Sequence, residues 1–184
     1  MVPAIDGAAY PGPDVDADYE AELVVDAAPE AVFEALTTLS GLAGWWSSVS
    51  GSGETGGTLR FTFGDDVPCL MEVTAAERPS IVRWTCLGYA PLPDWAGTTL
   101  SFDVLPLGDG GSVLKFRHTG LTPRLACYGD CKSGWDHFLP SLGEFAESGE
   151  GHPFGSSTDV ERRKDRDARS SLLKGSGQNA TRPS

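Results

Sequence analysis

The stretch GWDHFLPSLGEF, residues 134–145, has its apolar side chains at steps of three and four, the spacing of an amphipathic helix. Pro140 lies in the middle, where a proline removes one helical hydrogen bond and crowds the carbonyl of Asp136. A helix that keeps such a proline must have a large apolar surface to cover. The rest of the sequence has to supply that surface, either as a solid core or as a cavity that holds a ligand.

The segments before this helix have the patterns of strands and short helices. YEAELVVD, residues 19–26, alternates apolar and charged side chains, as a half-buried strand does. Residues 28–46 have helical spacing broken at Gly41 and Gly44, which predicts two short helices. Five further strand-like segments, separated by Gly-Asp and Pro-Ser turn signals, fill residues 57–120.

Consecutive strands of this kind pair as an antiparallel meander, and one face of the resulting sheet must be covered. Only the helix around residues 134–145 is long enough to do so. We therefore predict an α+β fold in which a curved antiparallel sheet of about six strands grips a long C-terminal helix. Thr122 and Pro123 are candidates for the start of that helix, and Gly149 is the candidate for its end.

Composition divides the chain into three parts. Residues 1–18 are rich in Pro, Gly, Ala and Asp without periodicity and are predicted to be a flexible N-terminal arm. Residues 19–148 carry every clear pattern and are predicted to be one domain. Residues 149–184 are Gly/Ser-rich and charged, and are predicted to be a disordered tail.

The charge balance excludes several classes of partner. The formal net charge is −12, from 26 acidic and 14 basic residues, and half of the basic residues lie after residue 161. The body of the chain is therefore strongly acidic, and we predict no nucleic-acid binding, because phosphate neutralisation needs a basic surface. No apolar run approaches membrane-spanning length, and the N-terminus lacks a secretory signal pattern. These features predict no membrane insertion and a cytoplasmic location.

Four motifs occur in a characteristic order: APEAVFEALT at 28–37, the pair Trp45-Trp46, HTGL at 118–121 and GWDHFLPSL at 134–142. In this order they resemble the SRPBCC or START-like helix-grip superfamily. Within it, the chain is most similar to the group named for homology to the activator of the heat-shock protein ATPase. The resemblance implies a central hydrophobic cavity between the sheet and the C-terminal helix. The superfamily includes lipid carriers, hormone receptors, aromatic polyketide cyclases and co-chaperone domains, so the fold does not fix the function.

His118 is the most informative polar residue. In VLKFRHT the alternation places Lys115 and Arg117 on the solvent face, so His118 should face the interior. There it is either the single polar anchor of an apolar pocket or a buried neutral histidine bonded to nearby backbone. The predicted ligand-binding residues all share an inward phase on a strand or on the long helix: Phe61, Trp84, Phe102, Phe116, His118, Trp135, Phe138 and Leu142.

Ordinary core packing also accounts for these aromatic residues, and it is the resemblance that favours a cavity. Trp95 lies on a Pro-rich loop and would either border a pocket mouth or fasten the loop. The four cysteines show no CxxC pair and no neighbouring histidine at ligand spacing, so buried free thiols are predicted and no metal site.

No nucleophile and base converge in the sequence, and no phosphate loop is present, so we assign no catalytic residue and no cofactor. The predicted function is binding of a small hydrophobic molecule: a lipid, a polyketide or another apolar metabolite. Two alternatives remain open, a cyclase or aromatase that uses the same cavity and a stress-related co-chaperone or interaction domain. The sequence indicates no particular oligomeric state.

Overall fold

The computed structural model describes residues 14–176. These residues form seven strands, four α-helices and a 3-10 turn at Pro93–Trp95. In chain order the strands and α-helices are β1 (Tyr19–Val25), α1 (Pro29–Thr37), α2 (Leu39–Trp45), β2 (Ser48–Gly51), β3 (Thr58–Thr62), β4 (Cys69–Glu77), β5 (Ile81–Gly88), β6 (Thr99–Leu107), β7 (Gly111–Thr119), α3 (Tyr128–Ser148) and α4 (Ser157–Ser176).

The strands form one antiparallel sheet in the order β1-β7-β6-β5-β4-β3-β2. The run β3 to β7 is the predicted meander, and β1 returns to pair with β7, so that Tyr19 lies opposite His118. The predicted α+β fold, with its antiparallel sheet, its long C-terminal helix and two short helices after the first strand, is confirmed. The sheet has one strand more than predicted because β2 is short and mostly polar, with only Val49 packed against the core.

The α1 and α2 helices pack closely against each other and against α3. Thr38 caps the start of α2 with its hydroxyl, and the indole N–H of Trp45 donates to the carbonyl of Ala35 at 2.8 Å. Gly44 is required by close approach, since a Cβ atom there would lie 2.2 Å from the ring of Phe145 on α3. The break in helical spacing at Gly44 therefore lies where α2 contacts α3.

The α3 helix carries the apolar stripe of residues 134–145. Trp135, Phe138, Leu139 and Leu142 are buried, and the helix as a whole contacts β1, α1 and α2. Pro140 lies on the exposed side of the helix, so its ring stays out of the core. The helix begins at Tyr128, so the predicted start at Thr122 and Pro123 is wrong. It runs to Ser148 and is followed by Gly149 in a left-handed conformation with φ 82°, which confirms the predicted end.

The structure differs from the predicted disordered tail over residues 157–176, which form α4. Asp159 of this helix is fully buried, and the contacts with the domain include Arg162 with Ser133 and Arg166 with Asp130. Phe154, just before the helix, adds a ring contact with Phe63, edge-on at 5.6 Å. The sequence pattern does not show this because α4 has no continuous apolar stripe. Its packed face consists of a carboxylate and arginine stems. The last eight residues of the chain lie outside the described part.

The predicted N-terminal arm lies mostly outside the described residues, since only residues 14–18 of it are included. These five residues make two polar contacts with the domain. Asp18 accepts the backbone N–H of Gly120 at 2.8 Å, and Asp16 pairs with Arg124. The flexibility of the arm stays a prediction.

Candidate ligand-binding site

Four predicted site residues form a packed aromatic core against the sheet. The ring centroids lie 5.9 Å apart for Phe61 and Trp84, and 4.9 Å apart both for Trp84 and Phe102 and for Phe102 and Phe116. All four side chains are buried, as their strand phases predicted. Phe116 meets the Trp135 ring of α3 at 4.6 Å, so sheet and helix are in direct aromatic contact. The structure brings these residues together as packing partners of one another.

Trp46 extends this core toward the surface. Its ring stacks nearly parallel to Trp84 at 5.9 Å and lies 4.2 Å from Phe61 and 5.2 Å from Trp135. Among the described residues, the buried indole N–H of Trp84 has no hydrogen-bond partner. A buried donor left unpaired in this way destabilises the folded state.

His118 lies in a closed polar cluster, here called the His118 cluster and formed by His118, Thr98, Trp95 and Trp135. The indole N–H of Trp135 lies 3.0 Å from Nδ1 of His118, and Nε2 lies 2.9 Å from the Thr98 hydroxyl. That hydroxyl donates to the carbonyl of Trp95 at 2.7 Å. The Thr98 hydroxyl donates its proton to the Trp95 carbonyl, so it accepts from Nε2 of His118, and Nδ1 accepts the indole N–H of Trp135. These bonds require a neutral imidazole with its proton on Nε2.

Burial lowers the pKa of His118 to about 4, in agreement with that neutral state. The side chain is 0% exposed and both ring nitrogens are occupied. His118 therefore offers no free atom to a ligand, and the arrangement gives no support to proton transfer by this residue. The inward orientation predicted from alternation is confirmed. The partners, however, are two side chains rather than backbone.

A cleft of about 330 Å³ opens to solvent where α3, α4 and one end of the sheet meet. Its floor and one wall come from α3 and Trp46, and its opposite wall comes from α4. Of the predicted site residues it contains only Trp135 and Phe138. Its lining consists of Trp46, Phe63, Tyr89, Leu92, Trp95, Asp130, Cys131, Gly134, Trp135, Phe138, Phe154, Arg162, Arg163 and Arg166.

Aromatic rings form most of the apolar part of this lining. Phe63 is the centre of one group, with Trp46 at 5.6 Å, Phe154 at 5.6 Å and Tyr89 at 5.9 Å. Trp95 stacks on Trp135 at 6.2 Å with an interplanar angle of 9°. The cleft thus offers flat apolar faces from several elements to a single small space.

The charged part of the lining comes from three arginines of α4 and from Asp130 of α3. Asp159, behind the wall, receives hydrogen bonds from Nη2 of Arg162 at 2.8 Å and from Nε of Arg163 at 2.9 Å. Burial by itself would raise the pKa of Asp159, but the backbone N–H of Gly155 and the two arginines hold it below its usual value. We call Asp159, Arg162 and Arg163 the Asp159 cluster. It is a fixed, charged wall for the cleft.

Two further titratable groups of the cleft, Cys131 and Tyr89, are neutral near pH 7. Burial is the main cause that raises the pKa of the Cys131 thiol to about 12, and the thiol accepts the indole N–H of Trp95 at 3.2 Å. Burial, with the carboxylate of Asp65 nearby, raises the pKa of Tyr89 to about 12. A neutral thiol is a poor nucleophile, so Cys131 acts here as a small apolar surface.

The structure separates the predicted site residues into two sets. Trp135 and Phe138 border the cleft, and Leu142, further along α3, is buried outside its lining. Trp95 has both of the roles that the sequence left open. Its indole N–H bonds Cys131 and so fastens the loop, and its ring borders the cleft. Sequence reasoning missed the α4 arginines and Phe154, because their segment was interpreted as tail.

No group of three or more His, Cys, Asp or Glu side chains in residues 14–176 has a geometry that would hold a metal ion. Within the same part of the chain, no helix combines the length and the apolar character needed to cross a membrane.

Comparison with known families gives one match that spans most of the domain. Residues 26–147 match the model of the family described as Activator of Hsp90 ATPase homolog 1-like protein. The matched region runs from the end of β1 to the end of α3, and α4 lies beyond it. Comparison with curated proteins finds no match.

Several solved structures share the fold. The solution structure of the Aha1 dimer from Colwellia psychrerythraea superposes with a TM-score of 0.64 and 29% identity, covering 73% of this chain and 99% of that one. CalU16 from Micromonospora echinospora gives a TM-score of 0.59 at 18% identity, covering 80% of this chain and 81% of that one. DynU16, a protein of the dynemicin biosynthetic locus, gives 0.57 at 23% identity, covering 76% of this chain and 49% of that one.

Proposed function

We propose that this chain, which belongs to the family of Activator of Hsp90 ATPase homolog 1-like proteins, binds a small apolar molecule. The proposed site is the cleft between α3 and α4. The observation that carries the proposal is the cleft itself, with a volume of about 330 Å³ and a lining dominated by aromatic rings. Small-molecule sites in proteins have this character, with apolar walls and a few polar groups that fix orientation. The proposed position is at the end of the sheet and not in its centre, which the core aromatic residues fill.

The comparisons support the proposal at the level of the fold. DynU16 shares this fold and comes from a biosynthetic locus, in keeping with a framework that holds small molecules. At 23% identity the likeness concerns the fold alone. The size and the polar groups of the cleft have to indicate which molecule binds there.

The size of the cleft sets the expected affinity. A flat guest that removes about 300 Å² of combined apolar surface from water gains about 7.5 kcal/mol. Association costs at least about 4 kcal/mol in lost translational and rotational freedom. Apolar contact alone therefore gives weak binding, and tight binding needs a polar contact in addition.

Gly134 provides a way to test the cleft without disturbing the core. It lies in α3 and lines the cleft, and a Cβ atom there would meet only the ring of Phe138 at an ordinary distance of 4.0 Å. A Gly134→Leu variant therefore fills the cleft. Gly129 is the matched control, since it is exposed in the same helix and a Cβ atom there meets nothing within 4 Å.

The probe is N-phenyl-1-naphthylamine, an uncharged molecule whose fluorescence rises in apolar surroundings. We expect saturable binding to the wild type, at least a tenfold weaker affinity in Gly134→Leu and a change of less than twofold in Gly129→Leu. Both substitutions replace a helical glycine, so neither should lower the melting temperature. No saturable binding to the wild type, or equal binding to Gly134→Leu, would reject the proposed site.

A further inference from the structure

We propose that the guest of the cleft is a flat apolar carboxylate whose anionic group is bound by the terminal nitrogens of Arg163. The inference rests on the proposed function, because it specifies the chemistry of the molecule that the cleft holds. It depends on four features of α4: how Arg163 is held, which of its atoms are free, the local charge and the shape of the guanidinium group.

Arg163 is held in a fixed orientation. Its Nε donates to the buried carboxylate of Asp159 at 2.9 Å, and its guanidinium lies over the ring of Phe154 at 4.5 Å from the centroid. Asp159 is itself fixed by the backbone N–H of Gly155 at 2.9 Å. Because these contacts are in place before a ligand arrives, binding at Arg163 requires little further ordering of the side chain.

The terminal nitrogens of Arg163 are the free atoms of this arrangement. Nη1 and Nη2 have no hydrogen-bond partner among residues 14–174, and the side chain is 34% exposed and borders the cleft. The other two arginines of the wall are more fully engaged. Arg162 bonds Asp159 and the hydroxyl of Ser133, while Arg166 lies between Asp130 and Asp167.

The three arginines of the wall and the carboxylates of Asp130, Asp159 and Asp167 carry no net charge together, but the positive charge is concentrated in the Asp159 cluster. Arg162 and Arg163 share the single carboxylate of Asp159, which is fully buried. Arg166 is balanced by its own two carboxylates, at 3.5 Å and 3.1 Å. The buried Nε of Arg162, moreover, has no partner in the described part of the chain. The Asp159 cluster, with two arginines and one carboxylate, therefore favours an anion locally, although the chain as a whole has a net charge of −12.

The geometry selects a carboxylate as the anion. With Nε occupied by Asp159, the group presents its end, where Nη1 and Nη2 lie in one plane. Two parallel N–H donors match the two oxygens of a carboxylate, and such bidentate pairs are stronger than single hydrogen bonds. The aromatic faces of Phe63, Phe138 and Phe154 lie beside this wall and would take the flat body of the same molecule.

The experiment compares two ligands with the same ring system, 2-naphthoate and 2-naphthylmethanol. Their dissociation constants are measured by titration calorimetry on the full chain at low salt. We expect naphthoate to bind the wild type at least tenfold more tightly than naphthylmethanol. In Arg163→Gln this ratio should fall to about one, and in Arg163→Lys, which keeps the charge without the fork, it should be intermediate.

Arg169→Gln is the matched control, because Arg169 is an exposed arginine of α4 that does not line the cleft. Its ratio should equal that of the wild type. If naphthylmethanol binds the wild type as tightly as naphthoate does, the anion inference is rejected while the proposed function stands. A ratio that persists in Arg163→Gln also rejects it. If neither ligand binds the wild type, both are rejected.

Discussion

The His118 cluster and the Asp159 cluster are both polar groups enclosed by aromatic rings, and α3 lies between them. Trp135 of α3 bonds His118, and Ser133 of the same helix bonds Arg162. In the His118 cluster both ring nitrogens have partners within the chain. In the Asp159 cluster the carboxylate is satisfied, but the terminal nitrogens of Arg163 and the Nε of Arg162 have no partner among the described residues. Only the second cluster has hydrogen-bonding capacity left for a ligand.

The two clusters also differ in charge. The His118 cluster is neutral, because a charged imidazole would lose its bond from Trp135 and would lie in an apolar environment. The Asp159 cluster consists of ionised groups that are held together by charge-assisted hydrogen bonds. Lowering the pH should therefore disrupt the His118 cluster under mildly acidic conditions and the Asp159 cluster only under strongly acidic conditions. The predictions that follow test this contrast.

The largest expected effect is the loss of stability on acidification that His118 causes. Its pKa is about 4 in the folded state and about 6.5 when unfolded, so the unfolded state binds more protons between these values. The free energy of unfolding then falls as pH decreases from 6.5 to 4, by about 3 kcal/mol from this residue. Urea unfolding at a series of pH values measures it.

His118→Asn is the matched variant for this measurement. Asparagine does not titrate, and its side-chain oxygen can still accept the indole N–H of Trp135. The variant should be less stable than the wild type at pH 7 and should show a flatter pH dependence between 6.5 and 4. Parallel pH profiles for the two proteins would show that His118 is not the titrating group.

The second effect concerns Asp159 and should be confined mainly to α4. Asp159→Asn removes the charge that two arginines share, and we expect the docking of α4 to weaken by about 2 kcal/mol. Hydrogen–deuterium exchange should show faster exchange of α4 amides, with smaller changes in the sheet. Asp167→Asn is the control, since Asp167 is an exposed carboxylate of the same helix and should have a small effect.

Acidification should reproduce the effect of Asp159→Asn. The pKa of Asp159 lies below its ordinary value of 3.8, so its contribution to stability is fully present above that value. The contribution is lost as pH falls through the folded-state pKa. Faster exchange of α4 amides already at pH 5 would contradict this order of events.

The sequence predicted the first cluster better than the second. Strand alternation placed His118, Phe102 and Phe116 inside, and the sheet confirms all three because its period of two is set by the backbone. The stripe on α3 predicted the helix and the burial of Trp135 and Phe138. The pattern did not show which rings would pack against one another and which would be left facing a cleft.

The second cluster was missed for a physical reason. The sequence places arginines three and four residues after Asp159, at positions 162 and 163. This spacing occurs on solvent-exposed helices as well as on helices that pack against a domain. The difference arises from Phe154 meeting Phe63, a contact between distant parts of the chain that no local pattern records. A signal was present in Ser156, whose hydroxyl accepts the N–H of Asp159 at 3.3 Å, as an N-terminal cap does.

The smallest expected effect separates two buried tryptophans, and it tests whether a satisfied polar group stabilises the closed cluster. Trp135 donates its indole N–H to His118 at 3.0 Å, whereas that of Trp84 has no partner among the described residues. Trp135→Phe and Trp84→Phe remove the same atoms from buried sites. Trp135→Phe also leaves Nδ1 of His118 without a donor, while Trp84→Phe removes an unsatisfied donor.

We therefore expect Trp135→Phe to lower the free energy of unfolding by at least about 1 kcal/mol more than Trp84→Phe does. Urea unfolding at pH 7 gives this difference. In Trp135→Phe the pKa of His118 should also rise, because the neutral imidazole loses a bond that only it can accept, and an NMR titration of the ring measures that shift. The two variants could instead lose the same free energy of unfolding, with an unchanged pKa of His118 in Trp135→Phe. Ring packing alone would then stabilise the His118 cluster, and its satisfied hydrogen bonds would not distinguish it from the cleft.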